Sequence, residues 1–514
     1  MSRTTHTGFV AALFVLGVVV QLILRLVFEV DTPIGLDLDL WGFAVLKAGA
    51  HQEMVLPPAF PGLAALVMGA ASCSNLWAAV VVSAVTVAAV PPTTFVLARL
   101  LGASVQRSLL AGGAVLVFPG IAGFGLLVRP DGMATLTLVG CAAAGVAFTK
   151  RRNLRRLLLF AVALAIASLT REHGAVAAYT GCVVAVVVPR RLSTRLISLA
   201  VVLGVLALAP LAVGHPPALP GFTTWSARLF LPIRDILQHS DDIAARYPVG
   251  EHDLGMLHTW VYALSRAPVS WAWVFIALFT LLRAPVTHRA AAMIGIVPAL
   301  PGLLVISEAR HVWVVVPVAV AVWLAASDGR FPGRRVVVGV AAALSILVQI
   351  LWLDPPRETG RERSALGKRS LSSEISRQVE NARALRRQGE AMCAMAGEVG
   401  LWSGSAGAFA FCPMRQHLAS NELTVANLHS WYKGNDPPGP RWRRVRGPDF
   451  VSPLYRFLWV GPDQERPCAS SQPHADTPYR AARAQPATMV PECDIPDAFL
   501  EAAFDAPEPD VRPQ

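Results

Sequence analysis

Two carboxylates, Asp37 and Asp39, stand two residues apart in the segment 35–41, which reads GLDLDLW. Leucine and tryptophan surround them, and a carboxylate among apolar residues at a membrane surface is costly unless it serves a purpose. Two neighbouring carboxylates also titrate as a coupled pair, which can hold one of them as a base near neutral pH. The pair indicates general-base chemistry. An ordinary acidic turn facing water is the alternative interpretation.

Cationic residues occupy three other short segments between apolar runs. They are Arg129, close to Asp131; Arg171; and Arg310 with its neighbour His311. If these segments converge, their side chains can bind a phosphate and stabilise it as it leaves. The alternative is that each arginine at a helix end reaches out to lipid headgroups.

The composition shows which elements must position these residues. The chain has 514 residues, of which 54% are hydrophobic and only 15% are charged, with a mean hydropathy of +0.49. These values exclude an ordinary water-soluble protein and predict a multi-pass membrane protein, since a membrane helix needs about 20 mostly apolar residues. The apolar runs predict eleven helices, over residues 9–28, 76–98, 108–128, 132–149, 157–170, 174–188, 196–213, 269–283, 290–306, 312–326 and 335–353.

The net charge of +11 and pI near 9.8 do not indicate a nucleic-acid partner, because many basic residues lie in short loops between apolar runs. With the N-terminus in the cytoplasm, the loops at 99–107, 150–156, 190–195, 283–289 and 330–335 lie inside, as the positive-inside rule requires. The loop 29–75, the corners at 129–131 and 171–173, the loop 214–268 and the segment 307–311 then lie outside. An odd number of helices also places the C-terminal part outside the cytoplasmic membrane.

Residues 354–495 have the composition of a soluble domain, and the tail 496–514, rich in Pro, Ala and Asp, is expected to be disordered. We therefore predict a membrane domain over 1–353 and an external domain after it, with an amphipathic helix over 372–390. Four of its residues are cysteines, which allow two disulfides in three connectivities in an oxidising compartment. They are Cys393, Cys412, Cys468 and Cys493. If one helix is miscounted, this region lies in the cytoplasm instead, and the four cysteines are free thiols.

Several of these motifs together resemble a known family. The Asp pair after the first helix, Trp41 two residues on, a glycine about ten residues later and the run 57–61, PPAFP, resemble the first external loop of the GT-C glycosyltransferases. These are lipid-phosphosugar-dependent enzymes that include the bacterial aminoarabinose and protein O-mannosyl transferases. The segments 128–131, 169–172 and 309–317 resemble the family's later external corners, so the resemblance covers roughly residues 9–326.

The chain also departs from the family pattern. Leu56 stands where the family usually has a histidine before the proline pair, and Trp41 or Phe43 replaces a common tyrosine. These departures leave open which aspartate corresponds to the family base. We prefer Asp39 over Asp37.

The resemblance implies an all-α, GT-C-like membrane domain, followed by a smaller external α/β or α+β domain. It implies transfer of a hexosyl or pentosyl group from a polyprenyl-phosphate-linked donor to a glycan, lipid or protein acceptor of the cell envelope, with inversion and a loop aspartate as base. Asp37 and Asp131 would orient the acceptor or bind a divalent cation. The donor phosphate would be bound by Arg129, Arg171, Arg310 and His311.

No obligatory cofactor is evident from the sequence. If a divalent cation takes part, oxygen ligands would suit magnesium, calcium or manganese.

Two other classes of function fit a polytopic chain. A transporter or lipid flippase would use the same charges along a translocation path, but transporters usually carry mid-membrane charges and an internal repeat, neither of which is seen in this sequence. A structural membrane protein whose external domain binds envelope polymer is the third hypothesis. The absence of a Walker loop, a dinucleotide fingerprint, HExxH and Cys-His zinc spacing argues against ATP-driven transport and the common metallohydrolases.

Overall fold

The computed structural model describes residues 3–34, 57–71, 75–189, 191–213, 268–281, 284–299 and 312–326. It also describes single residues at 41, 45 and 264, a short set between 375 and 386, and the strands 401–403, 442–446 and 455–459. All structural statements concern these residues.

The described chain is mostly helical. In chain order the helices are α1 Arg3–Val27, α2 Ala59–Ala71, α3 Asn75–Leu100, α4 Val105–Leu116, α5 Pro119–Phe124, α6 Asp131–Lys150, α7 Leu154–Ser168, α8 Glu172–Val187, α9 Leu192–Leu208, α10 Pro268–Thr280, α11 Val286–Gly295 and α12 Val316–Ala326. Short 3₁₀ turns follow at Ala209–Val213 and Val297–Ala299.

Among the described residues, four helical segments are long and apolar enough to cross a membrane: His6–Val27, Leu76–Leu100, Asp131–Lys150 and Leu192–Leu211. They confirm four of the predicted membrane helices. The first is exposed along most of its length, with Leu22, Ile23 and Leu26 facing outward from the protein. Such an apolar exposed face suits contact with lipid rather than water.

Three sequence expectations need correction. The helix expected over 108–128 is broken: α4 ends at Leu116, and α5 begins at Pro119, whose ring cannot continue a hydrogen-bonded helix. Helix α2 was not anticipated. The helix expected over 290–306 begins earlier, and α11 already ends at Gly295, before Pro298 in the following 3₁₀ turn. The helix expected over 335–353 lies outside the described residues, so the count of eleven stays a prediction.

Helix α1 supplies polar partners to the C-terminal end of α5. The Gln21 side-chain amide donates to the carbonyl oxygen of Ala122 at 3.1 Å, and the Arg25 guanidinium donates to the carbonyl oxygen of Gly125 at 3.3 Å. The end of a helix in an apolar layer leaves carbonyl groups that must find donors inside the protein. These two side chains therefore satisfy carbonyl groups at the end of α5.

Arginine side chains satisfy carbonyl oxygens at the loops that the charge pattern placed in the cytoplasm. Arg156 donates to the carbonyl oxygen of Ala147 at 2.7 Å, and Arg195 donates to that of Pro189 at 2.8 Å. Helix C-termini leave unpaired carbonyl groups and carry partial negative charge, so arginine is favourable there. The basic residues that indicated the topology thus also pair the carbonyl groups at the C-terminal ends of helices.

Part of the C-terminal region is described. Residues between 375 and 386 include helical positions, and Ile375, Val379 and Ala382 are buried. Further on, three strands form an antiparallel sheet in the order β1-β3-β2, with β1 Leu401–Ser403, β2 Trp442–Arg446 and β3 Tyr455–Trp459. The register pairs Leu401 with Leu458 and Arg444 with Phe457. The external placement of this region stays a prediction.

Candidate functional site

Three buried charged residues form one cluster. Nε of Arg129 lies 3.0 Å from Oδ2 of Asp131, and Nη1 of Arg171 donates to Oδ1 of the same carboxylate. Arg129 and Asp131 are each 1% exposed, and Arg171 is 5% exposed. Two guanidinium groups thus share one carboxylate in the interior, and the three residues together carry an excess of one positive charge.

The sequence around Arg129 explains the position of the first two members. Pro130 caps the start of α6, and Asp131 is its first residue, where the helix dipole favours a negative charge. The Ser83 hydroxyl on α3 donates to the carbonyl oxygen of Arg129 at 3.2 Å, which fixes this turn against α3. Gly132 lets α3 approach, since a Cβ there would lie 2.5 Å from Cγ2 of Val87.

Arg171 is positioned by a tight turn between two helices. Helix α7 ends at Ser168 and α8 begins at Glu172, so Arg171 adopts an extended backbone at the start of α8. Gly174 is required here, because a Cβ at this position would overlap the carbonyl oxygen of Ala167. The close return of the chain directs Arg171 toward Asp131 at the start of α6.

The two ends of the loop between α1 and α2, here called the first loop (residues 28–58), are both attached to these turns. Ile34 pairs with Leu127 in an isolated parallel bridge, and the N–H of Val128 donates to the carbonyl oxygen of Ile34 at 2.8 Å. At the other end, the N–H of Ala59 donates to the carbonyl oxygen of Leu169 at 2.9 Å. Three segments that are far apart in sequence therefore meet at one end of the helices, which we call the corner end.

Helix α2 also begins at the corner end, and α3 starts four residues after α2 ends. Trp77 lies in the first turn of α3, and the Cζ atom of Arg25 lies over its ring, 5.9 Å from the ring centroid. Since Arg25 lies in the last turn of α1, α3 also starts at the corner end. Both ends of helix α2 therefore lie at the corner end, so α2 does not count as a membrane-crossing helix.

Trp41, inside the first loop, adds a third attachment. It is 4% exposed and belongs to an apolar cluster with Phe60, Val128 and Met133. The Trp41 and Phe60 rings meet edge to face, with centroids 6.1 Å apart and an interplanar angle of 85°. The aromatic residues of the two loop motifs thus pack in one cluster with Val128 and Met133, which flank the Arg129–Asp131 turn in sequence.

The predicted site residues fall into two groups. Arg129, Asp131 and Arg171 are brought together as described above, whereas Asp37, Asp39, Arg310 and His311 lie outside the described residues. The chain just after His311 is described: the ring of Trp313 packs on Phe124 with centroids 5.8 Å apart.

Two residues near the cluster had no role in the sequence-based hypothesis. Ser83 is completely buried and holds the Arg129 turn, and a serine within an apolar helix was its only signal. His173, which is 4% exposed, follows Arg171 by two residues, and its place in the charged corner was visible in the sequence.

The geometry also bears on the divalent cation. Both carboxylate oxygens of Asp131 face guanidinium groups, so this side chain serves as a counter-ion and is poorly suited to bind a metal ion. Within the described part of the chain, no group of three or more His, Cys, Asp or Glu side chains could hold one.

The solved structures similar to this chain include an archaeal oligosaccharyltransferase and ArnT, which are GT-C glycosyltransferases, the class that the sequence motifs resemble. One is the archaeal oligosaccharyltransferase AglB from Archaeoglobus fulgidus in complex with an inhibitory peptide and a dolichol-phosphate, with 11% identity and a TM-score of 0.46 over 75% of this chain. The present chain covers 58% of the length of that enzyme.

Another is ArnT from Cupriavidus metallidurans bound to undecaprenyl phosphate, with 16% identity, a TM-score of 0.43, and coverage of 84% of this chain and 78% of that one. ArnT in the apo state gives 15% identity and a TM-score of 0.44, covering 83% and 77% of the two chains. At these TM-scores no residue of this chain is equated with a residue of either enzyme. No protein-family profile matches the sequence. No curated protein matches it either.

Proposed function

We propose that this protein transfers a sugar from a polyprenyl-phosphate-linked donor to a glycan, lipid or protein acceptor on the outer face of the cytoplasmic membrane. The observation that carries the proposal is the buried cluster in which Arg129 and Arg171 share Asp131, at the point where three loop segments meet. Arg129, Arg171 and Asp131 supply the phosphate-binding part of the proposed reaction. The roles of Asp37, Asp39, Arg310 and His311 follow the sequence motifs.

The first step of the argument concerns charge. Arg129 and Arg171 carry two positive charges, and the single carboxylate of Asp131 neutralises one of them. Because Asp131 also fixes both groups and leaves an excess positive charge in a buried setting, the cluster suits an anion such as a phosphate. Donors fixed in advance stabilise a leaving phosphate without reorganising during the reaction.

The second step concerns the aspartates of the first loop. Asp37 follows Ile34 by three residues, which limits the separation of their Cα atoms to about 11 Å, and Asp39 precedes Trp41 by two residues, a limit of about 7 Å. Both anchors contact the turn that bears Arg129. Covalent connectivity therefore supports a site that combines a loop carboxylate with the arginine cluster.

These groups suggest an inverting displacement. Asp39 accepts the proton of an acceptor hydroxyl, whose oxygen forms a bond to the anomeric carbon while the bond from that carbon to the phosphate oxygen breaks. Arg129 and Arg171 bind the departing polyprenyl phosphate, with Arg310 and His311 as additional donors. Asp37 orients the acceptor, and Asp131 holds the two arginines.

A transporter or lipid flippase is the alternative, since it could use the same cluster to hold a lipid phosphate. The two hypotheses differ in products. An enzyme releases polyprenyl phosphate and a glycosylated acceptor, whereas a transporter leaves the lipid-linked sugar intact.

The test compares cells with and without the gene by mass spectrometry of lipid-linked sugars and envelope glycans. Loss of one sugar from the envelope, with accumulation of its polyprenyl-phosphate form, is expected. Complementation by the wild-type gene should restore the sugar, Arg171→Gln should not, and Arg99→Gln is the matched control, since Arg99 binds the carbonyl oxygen of Ala103 between α3 and α4. Unchanged glycans and lipid-linked sugars would contradict the proposal.

A further inference from the structure

The segment 375–386 packs directly on the start of the first loop. Its buried residues Ile375, Val379 and Ala382 form one apolar cluster with Val30, Ile34 and Leu126. Ile34 is fully buried, and Val379 and Ala382 are 3% and 2% exposed. The segment comes more than 300 residues after the loop in sequence, so this contact joins the C-terminal region to the corner end of the membrane helices.

Arg383 adds polar contacts at the edge of this apolar cluster. Its Nε donates to both carboxylate oxygens of Asp31, at 3.0 and 3.2 Å, and its Nη2 donates to the carbonyl oxygen of Glu29 at 3.0 Å. The hydrogen bond from Arg383 lowers the pKa of Asp31, because it favours the ionised carboxylate. Three hydrogen bonds from one guanidinium fix the position of this part of the loop.

The backbone that Arg383 binds is conformationally unusual. Glu29 has a φ of 49°, the one left-handed non-glycine backbone among the described residues. Such a conformation is unfavourable for a residue with a Cβ and persists only where its surroundings hold it. Arg383 binds the carbonyl group of this residue and the side chain two positions later.

The same loop segment reaches the charged cluster through one residue. Ile34 packs against the 375–386 segment with its side chain and accepts a hydrogen bond from Val128 with its carbonyl group. Val128 directly precedes Arg129. A shift of residues 29–34 would therefore disturb the Arg129 turn and the attachment of the first loop at once.

We propose that Arg383 and its apolar neighbours Ile375, Val379 and Ala382 are positioning residues, which hold the first loop in register against the Arg129 turn. The C-terminal region thereby takes part in building the site. The contact itself is independent of the proposed function, while its effect on sugar transfer rests on it.

The relative roles within the contact follow from exposure. The Arg383 and Asp31 side chains are 40% and 58% exposed, so their attraction is screened by water and adds little stability. Burial of the apolar side chains holds the 375–386 segment against the loop. The directional hydrogen bonds of Arg383 determine which residues of the two segments face each other. Reversing one charge places two carboxylates side by side and should loosen the loop. Reversing both restores the attraction but not the hydrogen bond to the Glu29 carbonyl group, so the contact should be restored in part.

Proteolysis by endoproteinase Lys-C tests the contact without any assay of activity. Lys47 lies in the first loop and is the only lysine among the first 149 residues, so cleavage there gives a unique N-terminal fragment. In the purified full-length protein in detergent, Arg383→Asp should speed this cleavage several-fold. The double variant Asp31→Arg with Arg383→Asp should return the rate part of the way to the wild-type value.

Two further variants complete the test. Arg152→Asp, at an exposed position between α6 and α7, is the charge-reversal control and should cleave like the wild type, whereas Val379→Asp should cleave at least as fast as Arg383→Asp. Equal rates in all variants, or a double variant as fast as Arg383→Asp alone, would overturn the positioning role. A further result is that the cleavage rates follow expectation while Arg383→Asp transfers sugar with wild-type kcat and KM. That result would show that the contact holds the loop but does not position the catalytic site.

Discussion

Val128 and Ile34 share a backbone hydrogen bond of 2.8 Å between the N–H of the former and the carbonyl oxygen of the latter. This bond joins the loop that carries the Asp pair to the turn that carries Arg129. A second bond, from Ala59 to Leu169, joins the far end of the loop to the turn that carries Arg171. The backbone itself thus holds both ends of this loop and the two cations at one end of the helices.

The Asp pair is the first point to test. A general base contributes roughly 10²–10⁴-fold to a rate, so Asp39→Asn should remove most transfer activity. Removing a surface carboxylate usually changes stability by less than about 0.5 kcal/mol, so the variant should express and melt like the wild type. Asp37→Asn and the double variant are measured beside it, since the resemblance leaves the assignment of the base open. Wild-type transfer rates in all three variants would show that this loop has no catalytic role.

Asp131 should behave differently, because its role in the cluster is structural. Asp131→Asn removes the carboxylate charge that two buried guanidinium groups share, and we expect destabilisation of about 3–5 kcal/mol. Thermal unfolding of the detergent-solubilised protein measures it. The matched control is Asp31→Asn, whose ion pair is exposed and should cost less than about 1 kcal/mol. Equal melting temperatures for the two variants would contradict the buried ion-pair network.

Arg171 is predicted to need its planar guanidinium group. Arg171→Lys keeps the charge but loses the forked geometry, so we expect the efficiency of donor use to fall roughly tenfold or more. Binding of undecaprenyl phosphate to the purified protein, measured as a function of lipid concentration, gives the affinity directly. Arg99→Lys serves as the control, since Arg99 lies at the turn between α3 and α4. A wild-type affinity in Arg171→Lys would show that the site needs only a point charge there.

The turn before α8 offers a test of the packing. A methyl group at Gly174 would overlap the carbonyl oxygen of Ala167, and overpacking of this kind typically costs about 1–3 kcal/mol. Gly140→Ala is the control, because no heavy atom lies within 4 Å of a Cβ at that position in α6. The two melting temperatures should therefore differ, with Gly174→Ala the lower. If Gly174→Ala is as stable as the control, the close contact between position 174 and the carbonyl oxygen of Ala167 is contradicted.

The four lysines allow a test of topology. The loop charges predict Lys47, Lys368 and Lys433 outside and Lys150 in the cytoplasm. Lys-C added to intact spheroplasts should cut at Lys368 and Lys433 and spare Lys150 until the membrane is breached. Protection of both C-terminal lysines in intact spheroplasts would reverse the orientation of the C-terminal region and exclude disulfides among its cysteines.

The membrane class was readable from the sequence because it depends on composition and on the length of apolar runs, which are local quantities. The predicted runs at 9–28, 76–98 and 132–149 correspond to α1, α3 and α6. The cations at Arg129 and Arg171 were also identifiable, since charged residues at corners between apolar runs stand out from their neighbours. The helix α2 was missed because prolines and the Asp pair before it suggested an irregular loop, although proline is well tolerated in the first turn of a helix.

The sequence by itself determined that the chain is a membrane protein with acidic and basic corners, because apolar length and charge placement suffice for that. It could not show that Asp131 binds Arg171, forty residues away, or that Arg383 binds the backbone of Glu29. Those contacts are decided by the packing of α3, α6 and α7, by the close return at Gly174, and by the burial of Val379 against Ile34. Tertiary structure decided them because contacts between distant residues depend on how whole helices pack, and residue types and spacing constrain that packing only weakly.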